Sequence, residues 1–398
     1  MKKLLALVMC VVMACGVLAA CAPAANGNTE TPAPADTAEP NGGDAQTPAQ
    51  PGDAAAEGGK LLFFAIGNLG DMGINDLGWY ASQELATKYN LELTVVEGTN
   101  DASVRTTSLL DALETGGYDY CVTASWYIQD DLLNNMDNYK DTKFVIYDSS
   151  PLADFSAYPN VYGISFRQDE GSFMAAVYQC LMTKTNKIGA VAAQDSPILN
   201  DFVTGWIAGV KWYNDNFNAQ VEYKLAYLTD STIAGDYETA SVLYGSGCDV
   251  VYNIAGTYGL GAAQACEEAG GYEKGFYMIG VDYDQYNVYS KSDTAVVGYM
   301  NVATSMQKKI QESVVDAMSK VIDGGADMGN HRYSLKDGGV GLSYNDRYNE
   351  VTPDEVKAEV TSIESKIMSG EIKVPSYFDF SDYDQFAAFR DDPAARLG

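Results

Sequence analysis

The chain reads LLFFAI from Leu61 to Ile66, a run of six apolar residues that predicts a strand buried on both faces. An amphipathic stretch at 76–89 predicts a helix after it, and LTVV at 93–96 predicts the next strand. The same alternation continues with a helix at 106–114 and strands at 118–123 and 144–147. Because strands that alternate with helices form parallel sheets covered on both faces, we expect an α/β fold.

The alternation starts again in the second half of the chain. Helices are predicted at 170–183, 201–214, 234–244 and 261–269, and strands at 187–192, 221–227, 249–254 and 276–281. Two consecutive doubly wound units of similar size predict two lobes. Since ligands of such sheets bind beyond the carboxyl ends of the strands, we expect a binding cleft where those ends face one another.

The last part of the chain predicts further passages between the lobes. A segment at 295–300 and a helix at 303–322 have no partner strand nearby in the second unit, so we expect them to return to the first lobe. A final helix at 353–372 is then expected to return to the second lobe. Three crossings make a hinge. The expected boundaries are 61–165 and 295–325 for lobe 1, 166–294 and 326–375 for lobe 2, and 376–398 for a C-terminal tail whose position is left open.

The amino terminus predicts export. Residues 1–20 contain two lysines, an apolar run too short to span a membrane, and small residues before Cys21. The stretch Leu18-Ala19-Ala20-Cys21 resembles the lipobox of bacterial lipoproteins, which implies a lipid anchor on Cys21 at the outward face of the cell membrane, with ordinary secretory cleavage as the alternative. Residues 22–60 lack aromatic residues, Leu, Ile and Val, so 21–60 is expected to be a disordered tether behind the anchor.

The composition favours binding over catalysis. The 398 residues contain 54 Asp and Glu against 25 Lys and Arg, a formal charge of −29, so nucleic-acid binding is not expected. The one histidine, His331, leaves little room for imidazole chemistry, and we expect no cofactor and no metal. The cysteines that follow the tether show no CxxC spacing and are expected to be buried free thiols, with disulfide pairing as the alternative: Cys121, Cys180, Cys248 and Cys266.

The loop after the first predicted strand carries polar and aromatic side chains. Asp71 and Trp79 combine a carboxylate with an aromatic ring near a helix start, which suits the binding of a flat polar ring. Asn75 or Asp76 is placed to cap the following helix, and this structural role is an alternative to ligand binding.

Further candidate residues follow the later strands. Trp126 and Asp148 end the third and fourth strands, where a carboxylate can accept hydrogen bonds from ring N–H groups or cap a turn. Gly256 begins a glycine-rich turn that presents backbone N–H groups. Asp282 ends another strand and suits the vicinal hydroxyls of a sugar. Lys308, predicted to lie on a helix, could supply the complementary donor or be a solvated helix residue.

These pieces, in this order, resemble the basic membrane protein family, the lipoprotein solute-binding components of nucleoside ABC importers. The resemblance covers about 61–375, and its most specific stretches are DMGIND at 71–76, FRQDEGSF at 166–173, KTNKIG at 184–189, GWIAGV at 205–210, GTYGLG at 256–261 and IGVDYDQ at 279–285. It implies a type I periplasmic-binding-protein fold that captures a purine nucleoside without performing chemistry. It also implies an ABC permease and an ATPase as partners.

The resemblance further implies residue roles. In the family the base lies between aromatic rings, an acid contacts the edge of the base, and an aspartate and a lysine hold the ribose. The matching motifs assign the first ring to Trp79, the base-contacting acid to Asp148, the ribose acid to Asp282 and the lysine to Lys308, with Asn75, Asp76 and Gly256 as neighbours. Family members often carry an aromatic residue near 228–230, which here are Leu, Thr and Asp, so the second ring is left open among Trp126, Phe202 and Tyr227.

Two other functions remain open from the residues alone. A receptor of the same fold could bind a free sugar or another small polar solute, because aromatic rings and carboxylates also suit pyranose rings. A surface nucleoside hydrolase would use Asp71, Asp76 or Asp282 as a general base or a metal ligand.

Overall fold

Residues 58–99, 101–292 and 296–391 are described by the computed structural model. The predicted signal peptide, Cys21 and the tether up to residue 57 lie outside these ranges, as does the end of the predicted tail at 392–398. Within the described ranges, no helix combines the length and the apolar character that crossing a bilayer requires.

The first lobe is built on a six-stranded parallel sheet. Its strands are β1 (Lys60–Ala65), β2 (Glu92–Glu97), β3 (Tyr120–Ala124), β4 (Lys143–Tyr147), β5 (Val161–Phe166) and β11 (Gly329–Tyr333), in the spatial order β11-β5-β4-β3-β1-β2. Its helices are α1 (Ile74–Tyr89), α2 (Ala102–Gly116), α3 (Gln129–Asn134) and α9 (Ile310–Ile322). Leu61 to Phe64 are fully buried in β1, which confirms the strand predicted from this apolar run.

The second lobe repeats the plan. Its strands are β6 (Lys187–Ala192), β7 (Glu222–Tyr227), β8 (Val250–Ile254), β9 (Tyr277–Asp282), β10 (Val302–Lys308) and β12 (Val340–Leu342), in the order β12-β10-β9-β8-β6-β7. Only β12 is antiparallel to its neighbour among these strands. The helices are α4 (Gln168–Met182), α5 (Pro197–Phe217), α6 (Ile233–Gly245), α7 (Leu260–Ala269), α8 (Gln285–Ser290), α10 (Asp346–Val351), α11 (Asp354–Ser369) and α12 (Tyr383–Asp391).

Three passages of the chain join the lobes, after β5, after β10 and after β11. Neighbouring passages are hydrogen-bonded to one another: the backbone N–H of Arg167 donates to the carbonyl oxygen of Tyr333 over 2.8 Å, and Lys309 donates to Gly339 over the same distance. The predicted α/β fold, with two doubly wound lobes and a three-crossing hinge, is confirmed.

A buried charge cluster lies at this hinge. Arg332 of β11 places Nη2 3.1 Å from Oδ1 of Asp169 in α4 and 2.8 Å from Oδ2 of Asp201 in α5. Both carboxylates are fully buried. Burial raises the pKa of Asp201 to about 7, with the charge of Asp169 adding to the rise and Arg332 opposing it. The edge strand of lobe 1 is therefore tied to two helices of lobe 2.

The helix predicted at 303–322 is wrong in its first part. Val302–Lys308 is strand β10, and only Ile310–Ile322 is helical. Strand β10 pairs with β9 on one side and β12 on the other, and this pairing outweighs a weak helical pattern. Lys308 therefore ends a strand instead of lying on a helix.

Two C-terminal segments bear on the expected lobe boundaries and on the tail, whose position was left open. Strand β11 falls within 326–375, which was assigned to lobe 2, yet it pairs in parallel with β5 of lobe 1. A five-residue, half-buried edge strand has too little apolar pattern to be recognised from sequence. The tail packs on lobe 2, because Phe386 and Phe389 of α12 are buried against α5.

The four cysteines of the two lobes are free and buried, which confirms the thiol prediction. Burial raises the pKa of the Cys266 thiol to about 12, so that it stays protonated at neutral pH.

Candidate functional site

A cavity of about 160 Å³, here called the inner cavity, lies between the carboxyl ends of the two sheets. Lobe 1 and lobe 2 both contribute to its wall, which consists of Ile74, Trp126, Tyr127, Asp148, Ala193, Ile198, Leu199, Phe202, Ile254, Ala255, Gly256, Val281, Asp282 and Lys308. Six of the predicted site residues are thereby brought together: Trp126, Asp148, Phe202, Gly256, Asp282 and Lys308.

The ammonium group of Lys308 occupies the centre of the charged part of this wall. It donates to Oδ1 of Asp148, across the two lobes, over 2.8 Å, and lies 3.9 Å from Oδ1 of Asp282 in its own lobe. The lysine side chain is 4% exposed. Burial lowers the pKa of Lys308, but Asp148 and Asp282 raise it further, so the net shift is upward and the group stays charged.

Asp282 has a buried acceptor atom beside Lys308 that lacks a hydrogen bond within the described part of the chain. Its Oδ1 atom is buried and has no hydrogen-bond partner among the described residues. Burial raises the pKa of this carboxyl, with Lys308 opposing the rise. A buried acceptor without a partner costs free energy, so the fold maintains here a group suited to a donor from outside the chain.

Backbone strain accompanies both acids. Asp148 directly follows β4 and Asp282 ends β9, with φ of 53° and 65°, the left-handed region that non-glycine residues seldom adopt. Gly256 also has a positive φ, and a Cβ at its position would lie 3.9 Å from Oδ2 of Asp282. The strained turns aim the two carboxylates from opposite lobes at one ammonium group.

Aromatic rings form part of the apolar wall, beside aliphatic side chains. Trp126 and Tyr127 stack on each other with ring centroids 3.9 Å apart and an interplanar angle of 24°. On the other side Phe202 is buried, and Lys308 lies 4.8 Å from the centroid of its ring. The cavity therefore has rings from both lobes, as a flat ligand requires.

A larger space of about 690 Å³, here called the outer compartment, adjoins this cavity. The side chain of Tyr127 is shared by the walls of both spaces. The loop 66–71 and Asn75, Arg105 and Tyr127 line the outer compartment from lobe 1, and Thr257 and Tyr258 line it from lobe 2.

Asp71 caps helix α1, in place of the two residues predicted to do so. Its carboxylate accepts hydrogen bonds from the backbone N–H groups of Gly73, Asn75 and Asp76. Asp76 instead accepts from Gly70 over 2.7 Å and from Met72 over 2.8 Å, and burial raises its pKa. Asp71 and Asn75 line the outer compartment, whereas Asp76 fixes the shape of the loop.

Trp79 and Tyr227 do not line either space. Trp79 packs on Phe63, with ring centroids 5.8 Å apart, because five residues of helix rotate it about 140° from the cavity-lining Ile74. The hydroxyl of Tyr227 donates to Oδ1 of Asn200 over 2.8 Å.

Tyr127 and Tyr258 are site residues that the sequence analysis missed. Both lie in loops that were recognised, one residue after Trp126 and two after Gly256. Their position in a strand-end loop was the available signal. Among the described residues, no group of three or more His, Cys, Asp or Glu side chains could hold a metal ion.

A protein-family model described as ABC transporter substrate-binding protein PnrA-like matches residues 59–377. The chain is 30% identical over 344 residues to the ABC transporter nucleoside-binding protein BmpA of Lactococcus lactis subsp. cremoris, a match that covers 81% of this chain and 93% of that protein. It is 26% identical over 330 residues to basic membrane protein A of Borreliella afzelii, covering 82% of this chain and 94% of that protein.

Solved structures share the fold at lower identity. An ABC transporter solute-binding protein from Aeropyrum pernix matches with a TM-score of 0.68 and 23% identity, over 82% of this chain and 95% of that one. A solute-binding protein from Conexibacter woesei matches with a TM-score of 0.63 and 19% identity, over 80% and 99% of the two chains. Both likenesses concern the fold alone.

Proposed function

Since this chain belongs to the PnrA-like family of ABC transporter substrate-binding proteins, we propose that it captures a purine nucleoside between its lobes and delivers it to an ABC permease and its ATPase. The family resemblance inferred from the sequence is thereby confirmed. The name of the Lactococcus lactis relative, a nucleoside-binding protein, supports the choice of ligand. A binding component of an importer needs no catalytic residue, and we assign none.

The single observation that carries the proposal is the unpartnered Oδ1 atom of Asp282 beside Lys308. Vicinal hydroxyls of a ribose supply both what the carboxylate lacks, a donor, and what the ammonium group can use, a further acceptor. The charges of the site also disfavour a negatively charged ligand, because two carboxylates surround one ammonium group. An uncharged nucleoside therefore suits the cavity better than a nucleotide.

The base would extend from the inner cavity toward the outer compartment. The inner cavity, at about 160 Å³, is smaller than the roughly 300–1,000 Å³ that ligand sites usually have, so a nucleoside needs part of the adjoining space. Trp126, Tyr127 and Phe202 provide aromatic surface in the inner cavity, and Tyr127 also lines the outer compartment. We assign the stacking role to these three rings in place of Trp79. Asp71 and Asn75 are then polar neighbours of the base.

Capture would couple to closure of the hinge. Groups from both lobes line the inner cavity, so a ligand gains all of its contacts only when the lobes meet. Attachment through Cys21 would keep this receptor at the outer surface of the cell membrane, next to the permease.

The test is calorimetric titration of the purified full chain with adenosine, guanosine, inosine and uridine. We expect at least one purine nucleoside to bind in the micromolar range or tighter, and uridine to bind more weakly. Binding of none of the four would contradict the nucleoside proposal.

A free pentose is the second candidate, and the small inner cavity favours it. Ribose added to a nucleoside complex separates the two functions. Displacement at concentrations similar to those of the nucleoside would indicate a sugar receptor, whereas a requirement for a large excess of ribose would support the nucleoside.

A further inference from the structure

The last described segment of the chain, Phe378–Asp391, lies beyond the family match, which ends at residue 377. Its helix α12 packs Phe386 and Phe389 against α5, and Lys211 of α5 donates to the carbonyl oxygen of Phe389 over 3.2 Å. The segment is thus docked on the helix that carries Ile198, Leu199 and Phe202 into the inner cavity.

One contact of this segment reaches the loop between β6 and α5. The hydroxyl of Tyr383 donates to Oδ2 of Asp195, and Nη1 of Arg390 lies 3.6 Å from the same oxygen and 3.2 Å from the Tyr383 hydroxyl. Oδ1 of Asp195 accepts from Nδ2 of Asn200 over 2.7 Å. Asp195 therefore links the C-terminal segment to the first turn of α5.

The loop that Asp195 holds borders the ligand site. Ala193 lines the inner cavity, and the side chain of Gln194 lies close to Tyr127 of the other lobe. Movement of this loop would shift both an element of the cavity wall and a contact between the lobes.

A second contact ties the start of α5 to the chain just before this segment. Oδ1 of the buried Asp201 accepts from the Ser376 hydroxyl over 2.6 Å and from the backbone N–H of Tyr377 over 2.9 Å. The chain from residue 376 to residue 390 thus clamps the start of α5 between Asp195 and Asp201. The cavity-lining residues of α5 lie within and just after the clamped stretch.

From this geometry we infer that Tyr383 and Arg390 are positioning residues for the ligand site, and that the segment Phe378–Asp391 is a brace that holds the β6–α5 loop and the first turn of α5 in their ligand-binding arrangement. The inference rests on the proposed function for its ligand. The brace itself is a property of the chain's own contacts and can be tested without one.

The test compares the full-length chain with the double variant Tyr383→Phe and Arg390→Gln, which removes the hydroxyl and the charge that reach Asp195. Asp384→Asn, at an exposed position of the same helix, is the control. Arg390→Lys with Tyr383 unchanged is the rescue variant, because an ammonium group can still pair with Asp195.

Two readouts are measured for each protein. The Kd for the tightest-binding nucleoside is expected to rise about fivefold to tenfold in the double variant, as the loss of one or two hydrogen bonds implies. Hydrogen exchange of residues 193–200 is expected to accelerate, with the melting temperature within about 4 °C of the parent protein. The control and rescue variants should stay close to the parent protein in both readouts.

Unchanged Kd and unchanged exchange at 193–200 in the double variant would overturn the inference. An equal rise of Kd in the control would overturn it as well, because the effect would then not depend on Asp195. If the parent protein binds no nucleoside, the proposed function fails, and hydrogen exchange alone still decides whether the brace exists.

Discussion

Lys308 at the end of β10 donates a 2.8 Å hydrogen bond to Asp148 at the end of β4, and this contact joins the two lobes inside the inner cavity. Both side chains are almost fully buried. A charge-assisted hydrogen bond is strong in such surroundings. A ligand that enters between the lobes must therefore keep or replace this contact, so closure and ligand recognition use the same ammonium group.

Lys308→Met tests this double role, because the substitution keeps most of the side-chain volume and removes the charge. It leaves Asp148 and Asp282 buried without their cation, and breaking a buried pair typically costs about 3–5 kcal/mol. We expect the free energy of unfolding to fall by about 3 kcal/mol in urea titrations and the nucleoside Kd to rise at least about tenfold. Lys309→Met is the control. An unchanged nucleoside affinity in the Lys308 variant would contradict the assignment of this lysine to the ligand site.

Asp282→Asn separates binding from stability. The amide fits the same space but is a weaker acceptor for a ligand hydroxyl, so the Kd should rise by about tenfold or more. Burial raises the pKa of Asp282, which means that its charge is costly, and the free energy of unfolding should not fall. Asp215→Asn, at an exposed position of α5, should change neither quantity. Equal losses of affinity in the two variants would contradict the assignment.

The two tryptophans of lobe 1 should respond differently to truncation. Trp126→Ala removes a ring from the cavity wall and should raise the Kd about tenfold, measured by calorimetry. Trp79→Ala removes a ring that packs on Phe63, so it should lower the free energy of unfolding by about 2 kcal/mol and leave the Kd within about twofold. The opposite pattern would restore the stacking role that the sequence assigned to Trp79.

The raised pKa of Asp236 leads us to expect that the free energy of unfolding depends on pH. This fully buried carboxylate accepts from Nδ2 of Asn253 and from the backbone N–H of Ala262, and burial raises its pKa to about 7. A carboxyl with a higher pKa in the folded state binds more protons there, so its contribution to stability is largest at low pH and is lost as the pH rises toward 7.

Asp236→Asn should remove this contribution. The amide can still accept from Ala262 and can donate to the Oδ1 atom of Asn253, which has no partner among the described residues. Urea unfolding at pH 5 and pH 8 should therefore show the parent protein losing about 2 kcal/mol more than the variant over this interval. Identical pH dependence in both proteins would contradict the raised pKa.

The strand-end rule explains which site residues the sequence could identify. Asp148, Gly256 and Asp282 follow strands whose apolar runs are easy to recognise, and parallel sheets bring such ends together. Lys308 was named as a donor complementary to Asp282, but its strand was taken for a helix. Strand β10 is recognisable only through its pairing with β9 and β12, which are distant in sequence.

The failures arose where helix register or distant packing decides the position of a side chain. Helix α1 begins at Ile74, two residues before the predicted start, and the loop shape set by Asp76 decides which face of the helix reaches the cavity. Trp79 is on another face for that reason. The docking of α12 on α5 joins residues 178 positions apart, and no local pattern indicates it.

The most direct test of the ribose site is a pair of calorimetric titrations of the full chain, one with adenosine and one with 2′,3′-dideoxyadenosine. The two ligands share the base and differ only in the hydroxyls that we assign to Asp282 and Lys308. Our account predicts that adenosine binds and that the dideoxy analogue binds at least about 100-fold more weakly, because the buried carboxylate would lose its donor. Equal affinities for the two ligands would contradict it.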